Sequence, residues 1–79
     1  MKGQRVVVKT YGGIPYIMRV WDANKSHVYV IEENEYNKRI AGSPSYDPVG
    51  FPIKDVFEYS DELQISENFD WSELVRWRD

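Results

Sequence analysis

The chain has 79 residues, a net charge of −3, twelve aromatic side chains, one His and no Cys, which bounds it to one domain with a thin core. A chain of this size buries only about 60–65% of its unfolded surface, so packing alone must hold it. Disulfides, thiolate metal sites and multi-His metal sites are excluded, and no apolar run approaches the ~20 residues of a membrane-spanning helix.

The N-terminal segment MKGQRVVVKTYGG does not read as a signal peptide. Its apolar run is three residues long and ends at Lys9, so a cytoplasmic location is expected. Residues 5–31 then read as three short strands. RVVVKTY is followed by Gly12-Gly13-Ile14-Pro15, YIMRVWD by Ala23-Asn24-Lys25-Ser26, and the third run is HVYVIEE. β-branched and aromatic residues suit a pleated surface, and both separators are turn chemistry. Connections this short require antiparallel pairing. Alternation places Val6, Val8, Met18, Val20, Val28 and Val30 in the core. The opposite face carries Arg5, Lys9, Tyr11, Arg19, Trp21, His27 and Tyr29, a mixed surface that binds something or is covered by the rest of the chain.

Residues 32–42 (EENEYNKRIAG) carry too much charge for a buried strand. They predict a tip loop around Asn34 and a fourth strand near residues 36–41. Residues 42–52 hold three Pro, two Gly and two Ser and read as a long loop, pinned to the core by Tyr46 or Phe51. A Pro-led turn then leads into a closing strand at residues 56–59, and Ser60 caps a helical turn over residues 60–65. At the C-terminus Asp70 and Glu73 have capping-box spacing, and Phe69 and Leu74 have hydrophobic-staple spacing. Trp71, Leu74, Val75 and Arg78 share one helical face. A short helix over about residues 71–78 is expected. Being too short to stand alone, it must dock, and the face bearing Trp21 and Tyr29 is the expected surface.

This order of features resembles the small SH3-like barrels of the Tudor and KOW kind. The matching positions are Gly3, Val6 and Val8; Gly12 and Gly13; Tyr16, Arg19 and Val20; Val28 and Val30; and the segment from Pro52 to Val56. The resemblance covers residues 3–59 and implies a mainly β fold there, an SH3-like antiparallel barrel; with the helical extension read over residues 60–79, the chain is expected to be one domain. It also implies binding by loops and edges rather than one shared activity.

Chemistry is sparse. His27 stands alone on a strand beside Tyr29, with no nucleophile in view. Glu32, Glu33 and Glu35 fit no calcium-loop spacing. Gly12-Gly13 lacks the Lys-Ser/Thr of a phosphate loop. No catalytic residue, metal or cofactor is expected. Aromatic and Arg side chains are the types enriched in binding hot spots. Tyr11, Arg19, Trp21, Tyr29, Tyr46 and Trp77 are therefore the expected binding set, contacting a protein partner or a second copy. Charge offers a rival. Residues 1–40 sum to +3 and residues 41–79 to −6, so the basic half is a candidate nucleic-acid surface, with Arg5, Lys9, Arg19, Lys25, Lys38 and Arg39 on phosphates and Trp21 and Tyr29 stacking. A small enzyme or metal protein ranks third.

Overall fold

A computed structural model describes residues 2–63 and 69–77. Among the described residues five strands are present: β1 (Arg5–Lys9), β2 (Pro15–Ala23), β3 (His27–Ile31), β4 (Val49–Pro52) and β5 (Val56–Glu58). They form one antiparallel sheet in the order β4-β3-β2-β1-β5. Among the described residues no ladder joins β4 to β5, so the sheet is open by pairing.

The alternation of the first three strands holds. Val6, Val8, Val20, Val28 and Val30 are buried, with Val56 and Trp77 added to the same cluster and Met18 at its margin. A β-bulge between Val20 and Asp22 sets Trp21 and Asp22 against Tyr29. The extra residue shifts the phase of β2, so Ala23 as well as Val20 packs against the core.

The opposite face is drier than alternation alone suggests. Val7 is fully buried and Ile31 nearly so. Val7 lies beside Phe57 in the β1–β5 ladder, and the Trp71 ring stands 5.1 Å from that of Phe57. Helix α1 (Glu33–Ile40) packs against β2 on the other half. This helix replaces the expected tip loop and fourth strand. Glu33 and Glu35 occupy its first turn and Lys38 and Arg39 its last, the order that favours a helix dipole.

The expected loop over residues 42–52 is shorter, because β4 is cut from its end. Phe51 pins it, partly buried against the core, whereas Tyr46 is exposed. Ser26 C=O accepts from Ile53 N–H, so ladder alternation turns the backbone groups of Val49 and Phe51 toward β3. Those of Gly50 and Pro52 turn outward. Of these two positions Pro52 lacks an N–H, which blunts the β4 edge against strand addition.

The expected C-terminal helix is not formed. Asp70 does cap, accepting from Ser72 N–H at 3.0 Å, but the helical turn covers only Trp71–Glu73. Leu74 is extended (φ −91°, ψ 146°), and the chain then pairs with the free edge of β5. Glu58 N–H donates to Val75 C=O at 2.8 Å, and Trp77 N–H donates to Val56 C=O at 3.0 Å. An open strand edge gives the tail hydrogen bonds and delivers Trp77 to the core, which an isolated eight-residue helix would not do. The tail thus docks on its own sheet, but not on Trp21 and Tyr29. Ser60–Leu63 forms a turn, with Leu63 N–H donating to Ser60 C=O. The remainder of the helical turn expected there, Gln64 and Ile65, lies outside the described residues, as does Arg78 of the expected helical face.

Candidate functional site: an apolar pocket at the open end of the sheet

Two members of the expected binding set, Arg19 and Trp21, come together on β2, but α1 already occupies them. Glu33 Oε1 accepts from Arg19 Nη2 at 2.7 Å and from Arg5 Nη2 at 2.9 Å. Arg19 Nη1 also donates to Gly3 C=O at 2.8 Å. Hydrogen bonds from Arg19 and then Arg5 hold the Glu33 carboxyl below its ordinary range, and the bond to Glu33 raises Arg5. The Trp21 ring meets Tyr36 edge-on at 5.9 Å. Lys2 Nζ lies 3.7 Å from the Trp21 ring centre and the Arg39 guanidinium 5.1 Å, both within cation–π range. The cluster is a structural joint between the N-terminus, the sheet and α1.

The other expected residues scatter. Tyr11 is 99% exposed in the turn between β1 and β2. Tyr29 covers its cross-strand neighbour Gly50, where an added Cβ would stand 2.9 Å from the ring. Trp77, expected at the surface, is 3% exposed in the core, with its Nε1 donating to Gln4 Oε1 at 3.2 Å. Tyr46 is 77% exposed in the loop before β4 and stands at a pocket that sequence reasoning missed.

That pocket arises from unequal strand lengths. β2 has nine residues and β3 five. The β2–β3 ladder runs only from Arg19 onward, so residues 15–18 overhang. Ile14 is extended, so Ile14, Tyr16 and Met18 alternate along the core face of this overhang. Beyond them lies a cavity of about 110 Å³ lined by Met18, Val30, Ile31, Tyr46, Val49 and the carboxylates Glu32, Glu35 and Asp47. Ile14, Tyr16, Tyr46 and Val49 are all more than half exposed. The hint in the sequence was the cluster of large apolar residues Ile14, Tyr16, Ile17 and Met18.

Glu35 fixes the wall of this pocket. Its Oε2 accepts from Lys38 Nζ at 2.9 Å and its Oε1 from Tyr46 N–H at 2.9 Å. The Lys38 bond, followed by the Tyr46 bond, lowers its pKa from an ordinary 4.5. A carboxyl with a depressed folded-state pKa stabilises the fold above its unfolded value and loses that contribution as pH falls through the folded one. Stability is therefore expected to fall below about pH 4.5. Glu35→Gln is expected to be less stable than the parent at neutral pH and to show a shallower acid decline. Chemical denaturation across pH 3–7 checks this (about that span covers the carboxylate titration); parallel curves for the two proteins would contradict it.

Comparison with family models, with characterised proteins and with solved structures finds no match to this chain. Among the described residues no group of three or more His, Cys, Asp or Glu is arranged to hold a metal ion, and no helix is long and apolar enough to cross a membrane.

Proposed function

We propose that this chain is a small, non-enzymatic protein-interaction module of the SH3-like barrel kind, and that it engages a protein partner through the apolar end formed by Tyr16, Met18, Tyr46 and Val49. The carrying observation is a cavity walled by Met18, Val30 and Ile31 and flanked by the exposed Tyr46 and Val49, with the exposed Tyr16 two residues along β2 from Met18. Exposed apolar groups are ordinary when scattered; gathered around a concavity they fit an interaction site. A barrel-like reading is supported by β5 returning beside β1.

The basic face is the weaker candidate. Arg5 and Arg19 both pair with Glu33, and Trp21 lies among Lys2, Tyr36 and Arg39. Phosphate contacts would have to displace these interactions.

The test is capture of partners from the source cell, compared between the parent and a Tyr46→Ser/Val49→Ser variant. Both side chains are exposed, so folding is expected to survive. Loss of one or more captured proteins is expected, with little change for Arg19→Gln. Equal capture by parent and double variant, or retention that vanishes steeply with salt and tracks nucleic acid, would refute the reading. Sedimentation of the two proteins identifies a second copy as the partner if the parent alone dimerises.

A further inference from the structure

The pocket's lining also says what kind of partner segment it suits. Resting on the interaction reading above, we infer that it accepts one branched aliphatic side chain from a peptide segment carrying Lys or Arg beside that residue. Size limits the occupant first. Cofactor and drug-like pockets run to about 300–1,000 Å³, whereas this cavity holds about 110 Å³. An apolar cavity of roughly 150 Å³ takes a benzene ring, so a Val, Leu or Ile side chain is the fitting guest. Met18, Val30, Ile31 and Val49 supply apolar walls, and Met adapts its shape to a guest.

Charge sets the flanks. The lining includes three carboxylates and no cation. Glu35 is committed to Lys38 and to the Tyr46 N–H. Glu32 is exposed at the start of α1, and Asp47 is 94% exposed, 3.6 Å from the Arg39 guanidinium. Glu32 and Asp47 thus border the cavity with acceptor charge facing solvent, which suits a cation next to the inserted side chain. Strand addition on β4 is not the mode of attachment, because, of its two outward positions, Gly50 and Pro52, only Gly50 has an N–H to donate. The guest is held by its side chain.

The probe is a labelled heptapeptide, Gly-Ser-Arg-Leu-Arg-Ser-Gly, titrated into the full chain while backbone and methyl resonances are followed. Shifts are expected at Met18, Val30, Ile31, Tyr46 and Val49. Leu→Ala in the peptide is expected to weaken binding by at least about tenfold, from the lost apolar burial. Glu32→Gln with Asp47→Asn in the protein is expected to weaken it by about fivefold, as two exposed ion pairs are lost. Absence of shifts, shifts centred on Arg19 and Trp21, or indifference to either substitution set overturns the inference. Its failure is separable from that of the interaction reading. If Tyr46→Ser/Val49→Ser abolishes partner capture while the peptide does nothing, only the occupant is wrong.

Discussion

Trp77→Ala is expected to cost about 3–5 kcal/mol, the range for truncating a large buried aromatic. Trp77 packs into the Val6, Val8, Val20, Val28, Val30 and Val56 cluster and is the largest side chain there. Total stabilities of small domains are about 5–15 kcal/mol, so the loss removes much of the margin. At about 4–8 °C per kcal/mol for this size, the thermal midpoint should drop by at least about 12 °C. The neighbouring Val75 is 57% exposed, and Val75→Ala should change stability by no more than about 0.5 kcal/mol. Thermal and urea unfolding of both variants separates a core role for the tail from simple edge pairing. Equal, small effects at both positions would mean that Trp77 is not a core residue.

Gly3→Ala should cost about 1–3 kcal/mol. Gly3 has φ +88°, and a Cβ there would stand 2.6 Å from the Tyr36 hydroxyl. Its N–H donates to Val20 C=O at 2.7 Å and its C=O accepts from Arg19, so shifting its backbone disturbs the joint between the N-terminus, β2 and α1. Gly12 has a similar φ of +80° but open space around it. Gly12→Ala therefore isolates the backbone term, and Gly3→Ala should exceed it. Tyr36→Phe removes the atom in conflict and should recover part of the difference, a coupling readable in a double-mutant cycle. Equal losses at Gly3 and Gly12 would show that the Tyr36 contact is unimportant.

The three central strands were legible because Val6/Val8, Met18/Val20 and Val28/Val30 repeat with a period of two between turn-forming residues. The continuous run Val6-Val7-Val8 carried a further signal: a strand apolar on both faces is covered on both. Helix α1 was missed because ENEYNKRI has no apolar stripe; Ile40 is exposed, and the helix is marked by the order of its charges instead. At the tail, the Asp70 cap was readable, but how far the helical turn extends is decided by the free edge of β5 and the core space open to Trp77. Neither is a local property. The pocket was hidden for a similar reason. It depends on β2 outrunning β3 and on a loop more than twenty residues away in sequence folding back beside Met18.

The most direct measurement is amide hydrogen exchange of the chain alone and in complex with its captured partner. Slowed exchange is expected around Met18, residues 30–32 and residues 46–49, which contribute to the pocket lining, with β1 and the tail unchanged. Slowed exchange centred on Arg5, Arg19 and Trp21, with none at the pocket, would contradict the proposed site.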